Sequence, residues 1–352
     1  MPKFKGLNCR MNSLLAQKEL FKSGQRVIIT THFNPDADAI GSSLSLKNYL
    51  IQLGLQVEVW LPSSLPAHFK WMQGADLVYD FEQSSDRMHM QQTISSFDWI
   101  FCLDFSGIQR LHGLSNLIQT AVQPKVVIDH HLDPEDFGTY FYHDTKAAST
   151  CELIYELIRS WGDEALIDAE IGATLYAGIM ADTGSFRHPN TTSRVHRIVA
   201  ELIDLGVNTN MVHRKIFDAS SIDRLRFLGH VLSNRMEYLP KYRLSLMWIT
   251  EEDQKVFNSQ AGDTEGIVNY GLQVAGSVWS ILLIQRNDGV KLSFRSIEPF
   301  AVNQFAANYF EGGGHKNASG GRIQKSNIEE AKKILMEVLP LQLDQINQVK
   351  NL

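Results

Sequence analysis

Short apolar runs alternate with stretches of helical periodicity along the first half of the chain. Residues 27–29, 99–103 and 126–128 are continuous apolar runs of the kind that buried strands have. Residues 57–61 are a plausible further strand, ended by Pro62, and residues 13–23 carry apolar side chains along one side of a predicted helix. Because strands and helices alternate, we predict an α/β domain with a mostly parallel, doubly wound sheet.

The pattern changes after residue 190. Residues 190–236 have helical spacing, whereas residues 278–285 and 290–296 are predicted to be two strands joined by a turn at Asn287-Asp288-Gly289. A chain of 352 residues is long enough for two domains of ordinary size. We predict three segments: an N-terminal domain over 1–190, a helical connector over 191–238 and a smaller mixed α/β domain over 239–352.

The composition is that of a globular protein. Hydrophobic residues make up 44% of the chain and charged residues 20%, so the chain can bury a full core. No apolar run approaches the roughly 18 residues of a membrane helix, so we expect no membrane association. Lys3, Lys5 and Arg10 precede no apolar block, which argues against a signal peptide. Three widely spaced cysteines favour a reducing cytoplasm: Cys9, Cys102 and Cys151.

The net charge of −6 restricts the partners of the protein. Proteins that follow long nucleic acids carry a basic stripe, and this chain has no run of Lys and Arg. We therefore expect no long duplex nucleic acid as a partner. An anionic phosphate ester would have to be neutralised locally, by metal ions and a few Arg or His residues. A homodimer is left open as the assembly.

Polar residues of the metal-ligand type follow three of the predicted strands. The first strand is followed by His32, Asp36 and Asp38, the second by Asp104, and the third by Asp129, His130 and His131. Because the carboxyl ends of parallel strands share one edge of a sheet, we expect these side chains to converge there. The alternative for each group is a turn with solvated or helix-capping carboxylates.

A further carboxylate is predicted at the end of a helix. Asp168 is a suitable N-cap, and Ile171, Leu175, Gly178 and Asp182 follow it at the spacing of one helical face. Asp182 therefore ends an apolar stripe, where burying a bare carboxylate is costly. Either the helix ends and Asp182 is solvated, or Asp182 completes the cluster.

The candidate ligands combine carboxylates with imidazoles and include no thiolate: His32, Asp36, Asp38, Asp104, His130 and Asp182. Hard oxygen donors suit Mn²⁺ or Mg²⁺, and the imidazoles favour Mn²⁺. The set is too large for one ion with an open position, so we predict two divalent ions bridged by Asp104 or Asp182. Two such ions activate a water for in-line attack on phosphorus.

Two residues next to the candidate ligands are predicted to take part in catalysis. We predict that His131 contacts the substrate phosphate and protonates the leaving oxygen, and that Asp129 orients His130. The alternative for Asp129 is a cap at a strand end. The remaining histidines are expected at the surface or in the core; examples are His68, His112, His196, His213 and His230.

The C-terminal domain contains a second candidate site. Residues 312–315, Gly-Gly-Gly-His, follow a short predicted helix, and Arg295 lies in a predicted strand. Glycines let backbone N–H groups approach a phosphate closely. We predict that Arg295, Gly313, Gly314 and His315 bind substrate. The alternatives are an ordinary turn and, for Arg295, a cross-strand ion pair.

These motifs together resemble the signature of the DHH phosphoesterases. The resemblance rests on His32-x-x-Pro35-Asp36-x-Asp38-Ala39-x-Gly41-Ser42, Asp104, Asp129-His130-His131 and Asp182, and on the C-terminal residues 312–315 with Gly320-Gly321. Ala37 is a departure, because many relatives have Gly between the two Asp residues. The order and approximate spacing agree over nearly the whole chain.

The two-domain length resembles the nanoRNase type within this family. The resemblance implies two manganese ions and hydrolysis of very short oligoribonucleotides to mononucleotides. We expect the active site in the interdomain cleft and, because the net charge is −6 and no basic track is present, substrates of about two to five nucleotides. The resemblance also implies dephosphorylation of 3′-phosphoadenosine 5′-phosphate.

Two alternative functions remain open at the sequence level. One is a phosphodiesterase for cyclic or linear dinucleotides, and the other is a non-catalytic sensor of nucleotides or metals. A manganese pyrophosphatase would share the ligand motifs but not the Gly-rich segment with His315.

Overall fold

The computed structural model describes residues 13–218, 220–260 and 262–349. The chain divides into two compact units, Met1–Ala219 and Ser220–Leu352. Lys3, Lys5, Cys9 and Arg10, which entered the predictions about compartment, lie outside the described residues. Within the described ranges, no helix combines the length and the apolar character needed to cross a membrane.

The first unit contains the predicted parallel sheet. Its strands are β1 Arg26–Thr31, β2 Gln56–Leu61, β3 Val78–Asp80, β4 Trp99–Leu103, β5 Lys125–Asp129 and β6 Tyr140–His143. The spatial order is β3-β2-β1-β4-β5-β6, with every neighbouring pair parallel. The chain leaves β1 toward β2 and later returns to β4 on the other side. The sheet is thus doubly wound, as predicted, with its switch point between β1 and β4.

Helices cover both faces of this sheet. They are α1 Ala37–Gln52, α2 Ser84–Thr93, α3 Ser115–Thr120, α4 Thr150–Ser160, α5 Ala169–Asp182, α6 Ser193–Asp204 and α7 Thr209–Phe217. Strand residues alternate between two cores: Val27 and Ile29 face the core that includes α1, α4 and α5, whereas Ile28 faces the core that includes α2 and α3. Burial on both faces explains why the strands are apolar without interruption.

Two glycines let the helices beside the site approach closely. A Cβ atom at Gly41 would lie 2.6 Å from the carbonyl oxygen of Thr174, and one at Gly178 would lie 2.3 Å from Sγ of Cys151. A larger side chain at either position would force the neighbouring atoms to shift. The contact brings α1, α4 and α5 together behind the carboxyl edge of the sheet.

The second unit is a mixed α/β structure around a second sheet. Its strands are β7 Met236–Leu239, β8 Leu244–Ile249, β9 Trp279–Arg286, β10 Gly289–Ser296, β11 Gly313–His315 and β12 Ala318–Gln324. Its helices are α8 Ile222–Asn234, α9 Glu251–Val256, α10 Ile267–Tyr270, α11 Val302–Tyr309, α12 Ile328–Val338 and α13 Leu343–Gln348. The strand order is β11-β12-β10-β9-β8-β7, and only β8 and β9 pair in parallel.

Three details differ from the local patterns or refine them. Residues 13–23 form two short 3₁₀ turns, Ser13–Ala16 and Lys18–Leu20, and not one helix. Residues 313–315 form the edge strand β11 and not a loop. The helices within 191–238 divide between the units, because α6 and α7 pack into the first core whereas α8 packs into a core of the second unit.

Candidate active site

The loop between β1 and α1 carries three of the predicted ligands. His32 directly follows β1 and is 6% exposed. Oδ1 of Asp36 caps α1 by accepting hydrogen bonds from the backbone N–H groups of Asp38 and Ala39, both at 3.0 Å. Oδ2 of Asp36 lies 3.9 Å from Nε2 of His32. Asp36 therefore caps the helix and also contributes a carboxylate to the cluster.

Asp104 lies at the centre of the cluster. It directly follows β4 and has a φ of +65°, a left-handed conformation that Asp adopts more readily than most residues. Its Oδ2 lies 3.6 Å from Nε2 of His32, and its Oδ1 lies 3.5 Å from Nε2 of His130. One buried carboxylate thus faces two imidazoles with its two oxygens.

Backbone carbonyls orient both imidazoles. Nδ1 of His32 lies 3.0 Å from the carbonyl oxygen of Phe33, and Nδ1 of His130 lies 3.3 Å from that of Ala147. A carbonyl accepts only, so each Nδ1 carries the proton and each Nε2 is turned toward the carboxylates. This is the arrangement that metal-binding histidines use.

Asp182 completes the group from the last residue of α5. Its Oδ2 lies 3.3 Å from Nε2 of His130, and its side chain is 25% exposed. The two alternatives for Asp182 are thus combined: the helix ends at this residue, and its carboxylate also reaches the cluster.

The ligand atoms fall into three overlapping groups whose members lie within 4.8 Å of one another. The groups are His32, Asp36 and Asp104; Asp38, His130 and Asp182; and Asp104, His130 and His131. Asp104 and His130 each belong to two groups. The six residues predicted as ligands are therefore brought together by the fold.

Asp129 contacts a different histidine from the one predicted. Nδ1 of His131 donates a 2.7 Å hydrogen bond to Oδ1 of Asp129, whereas His130 is oriented by the carbonyl of Ala147. The prediction that Asp129 orients His130 was wrong. Nε2 of His143 lies 3.8 Å from Oδ2 of Asp129 and 2.7 Å from the carbonyl oxygen of His131. A buried Asp and a buried His thus hold the segment at His131.

The N-terminus of α4 is a part of the site that the sequence reasoning missed. The backbone N–H groups of Thr150 and Cys151 donate hydrogen bonds of 2.6 and 2.8 Å to the two oxygens of Asp38. The hydroxyl of Thr150 donates a 2.9 Å bond to Oδ1 of Asp104. The positive end of a helix stabilises such carboxylates. The Ser149-x-x-Glu152 spacing is a sign of a helix start, although it says nothing of where that start lies.

The cluster holds an excess of negative charge. Burial, together with the charge of Asp104, raises the pKa of Asp38 to about 7. Burial and the charge of Asp38 raise the pKa of Asp182 well above its usual range. Burial alone would lower the pKa of His32, but its hydrogen bond to Asp104 and the nearby carboxylates raise that pKa to about 9. The site therefore favours added positive charge, whether a proton or a cation.

The donor set fits divalent cations. Among the described residues, the ion pairs of these carboxylates are with histidines, and no Lys or Arg pairs with them. Carboxylates as buried as Asp38 and Asp104 need a positive partner to remain ionised together. Carboxylate and imidazole donors at this spacing match a site for Mn²⁺ or Mg²⁺.

In the second unit, the predicted substrate residues share one face of the sheet. His315 on β11 pairs with Ala318 on β12, which pairs with Arg295 on β10. Directly paired residues point to the same face, so Arg295 and His315 stand two strands, or roughly 10 Å, apart on it. The described residues include no carboxylate in ion-pair contact with Arg295, so the alternative of a cross-strand ion pair does not apply. Burial lowers the pKa of its guanidinium.

Gly313 and Gly314 lie beside this pair on the edge strand. A Cβ atom at Gly314 would lie 2.8 Å from the carbonyl oxygen of Ala318, and its φ is +135°. Glycine is therefore required for β11 to pair closely with β12. Because β11 is the last strand of the sheet, one edge of its backbone is not paired with another strand of that sheet.

A doubly wound α/β unit with carboxylates and imidazoles at its switch point, followed by a mixed α/β unit, defines a class of phosphoester hydrolase. Residues 26–179 match the DHH family, N-terminal domain, and residues 254–340 match the DHHA1 domain. The chain belongs to the DHH family, as the sequence motifs predicted, and is a hydrolase of phosphoester bonds.

Three relatives extend this assignment. The chain is 34% identical to an exopolyphosphatase-related protein of Bacteroides fragilis, whose structure matches with a TM-score of 0.88 over 92% of this chain and 94% of that one. It is 29% identical over 317 residues to the bifunctional oligoribonuclease and PAP phosphatase NrnA of Thermus thermophilus, which covers 89% of each chain. The fold is shared with RecJ from Thermus thermophilus, solved in complex with Mn²⁺, at a TM-score of 0.53 and 16% identity; the match covers 99% of this chain and 55% of that one.

Proposed function

We propose that the protein hydrolyses short oligoribonucleotides of about two to five nucleotides to mononucleotides, and that it also removes the 3′-phosphate of 3′-phosphoadenosine 5′-phosphate. The observation that carries the proposal is the set of three overlapping ligand groups joined by Asp104 and His130. The names of the Thermus thermophilus relative and its matching length support the substrate class.

The residues that would hold two divalent cations are the six of the cluster, with Asp104 as the bridge. Mn²⁺ is the proposed ion and Mg²⁺ the alternative, because imidazoles accompany the carboxylates. When bound, the cations supply charge neutralisation and an activated water for attack on phosphorus. The carbonyls behind His32 and His130 and the N-terminus of α4 behind Asp38 keep the donors in place.

His131 is the proposed contact to the substrate phosphate and the acid for the leaving oxygen. Its Nδ1 donates to Asp129, and this hydrogen bond fixes the plane of the ring. His143 positions the same segment through the carbonyl of His131. A proton carried by His131 can then pass to the oxygen from which phosphorus separates.

Arg295 and His315 are the proposed phosphate ligands of the second unit. They stand on one face of the sheet, and Gly313 and Gly314 leave backbone N–H groups of the edge strand accessible to an anion. The net charge is −6 and the sequence has no run of Lys and Arg along which a longer strand could bind, which favours short substrates. We place the protein in the reducing cytoplasm, which suits the free thiols of Cys102 and Cys151.

The test compares hydrolysis rates across substrates at a fixed manganese concentration. Labelled oligoribonucleotides of two to twenty residues, 3′-phosphoadenosine 5′-phosphate and cyclic dinucleotides are incubated with the protein, with and without a chelator. We expect the fastest turnover on the shortest linear substrates and none after chelation. Equal rates on dimers and twenty-mers would refute the length preference, and preferential hydrolysis of cyclic dinucleotides would favour that alternative function. Metal binding without turnover of any substrate would favour a sensor.

A further inference from the structure

A stacked aromatic pair lies beside the metal cluster. The rings of Phe33 and His112 have centroids 4.3 Å apart and an interplanar angle of 22°. Phe33 is partly buried, whereas His112 is exposed to solvent. The pair therefore presents a flat imidazole to solvent, supported from beneath by a phenyl ring.

The pair is connected to the cluster through the backbone. Phe33 directly follows the ligand His32, and its carbonyl oxygen orients the ring of His32 at 3.0 Å. Its N–H donates a 2.8 Å hydrogen bond to the carbonyl oxygen of Arg110, in the segment that leads away from the ligand Asp104. Two of the ligand loops thus meet at this stack.

The backbone at His112 is strained. Its φ of +46° and ψ of −118° interrupt the 3₁₀ segment Ile108–Leu114, in a region that glycine tolerates and other residues rarely adopt. Leu111 and Leu114 are fully buried on either side and hold the turn in place. Glycine at position 112 would relieve this strain. A role in core packing does not explain the choice of histidine, because the ring is exposed. The imidazole therefore occupies a costly backbone position and is exposed to solvent, with one face stacked on Phe33.

We propose that the outer face of His112 stacks on the nucleobase of the nucleotide whose phosphate is cleaved. A nucleobase is flat and aromatic, and such stacking adds affinity with little dependence on hydrogen-bond pattern. The stack would select nucleotides over base-free phosphate esters, and purines, with their larger rings, over pyrimidines. This inference rests on the proposed function for its substrate class, since the partner is a nucleobase.

The first test measures binding without turnover. The manganese-loaded protein is titrated by calorimetry with adenosine 5′-monophosphate, uridine 5′-monophosphate and ribose 5-phosphate. In His112→Gly, which removes the ring and suits the backbone, we expect about tenfold weaker binding of the adenine nucleotide and unchanged binding of ribose 5-phosphate. His112→Phe should retain adenine binding. His89→Ala, which removes another stacked imidazole of the same unit, is the matched control and should bind like the wild type.

The second test compares hydrolysis of 3′-phosphoadenosine 5′-phosphate with that of ribose 3,5-bisphosphate. His112→Gly should raise KM about tenfold for the adenosine compound only, with kcat nearly unchanged. Equal losses on both compounds would overturn the inference and assign His112 to loop structure, as would adenine binding that does not respond to the substitution. If the wild type hydrolyses no oligoribonucleotide but its adenine binding depends on His112, the proposed function falls and the stacking inference stands.

Discussion

Nδ1 of His131 donates a 2.7 Å hydrogen bond to the fully buried carboxylate of Asp129. Because this contact holds His131 and no metal ligand of the proposed set, Asp129→Asn should lower kcat about 10- to 100-fold while bound manganese is retained. Metal content and turnover are measured on the same sample. Asp98→Asn is the control, since Asp98 binds the N–H of Arg26 at the opposite edge of the sheet. Loss of manganese from the Asp129 variant would show that Asp129 supports the metal site itself.

Asp104→Ala should remove the bridge between the two halves of the cluster. The two oxygens of Asp104 face His32 and His130, so no other residue of the set can take over both contacts. We expect turnover to fall by about a thousandfold or more, together with loss of bound metal. Elemental analysis and a dinucleotide assay measure both effects, with Asp98→Ala as the control. Near-normal turnover would show that Asp104 is not needed to hold the metal ions.

Metal binding should release protons. Without metal, the pKa of His32 is raised to about 9 and that of Asp38 to about 7, so at pH 7 the imidazole is protonated and the carboxyl is partly so. A ligand binds in its deprotonated form, so affinity should rise with pH toward 9 and fall as the pH drops below 7. Calorimetric titration with Mn²⁺ in two buffers of different ionisation enthalpy measures the number of protons released. Identical heats in both buffers would contradict the prediction.

Arg295→Ala and His315→Ala should impair substrate binding and leave the metal site intact. Both side chains lie on the same face of the second sheet and are proposed to hold phosphate. We expect KM to increase about tenfold, with kcat and manganese content changed little. Lys291→Ala is the matched control, since Lys291 lies on the same face of β10 and four residues away. Loss of manganese in the His315 variant would place His315 in the metal site.

Asp253→Asn should destabilise the second unit in a pH-dependent way. The buried carboxylate accepts hydrogen bonds from Arg235 at 3.0 Å and from the N–H of Thr250 at 2.9 Å. Burial alone would raise its pKa, but these hydrogen bonds, above all those from Arg235, lower the pKa well below the usual range. Because folding lowers this pKa, the ionised carboxylate stabilises the folded state at pH values above its unfolded pKa of about 4. This stabilisation is lost as the pH falls below that value. We expect a loss of about 2–3 kcal/mol at pH 7.

Urea denaturation followed by circular dichroism at pH 7 and at pH 3 measures this effect. The difference between wild type and Asp253→Asn should shrink at the lower pH. Glu251→Gln is the control, because the Glu251–Lys255 pair is exposed and such pairs contribute less than about 1 kcal/mol. A difference that grows on acidification would contradict the assigned pKa direction.

Strand ends and ligand types could be predicted from the sequence because the rule that connects them is local. An uninterrupted apolar run predicts a buried strand, and the residue after it lies at the carboxyl edge of a parallel sheet wherever that strand is placed. His32, Asp104 and His130 were located in this way, and Asp182 by its position on a helical face. Their convergence follows from the parallel order of β1, β4 and β5.

The tertiary structure alone decided which groups contact these ligands. The N–H groups that bind Asp38 come from Thr150 and Cys151, more than a hundred residues away, and no local pattern connects them. Asp129 is adjacent to His130 in sequence yet contacts His131, because the backbone at the end of β5 sets the side-chain directions. The sequence by itself determined the candidate ligands of this site, whereas helix packing and strand register, which depend on contacts distant along the chain, determined what holds them.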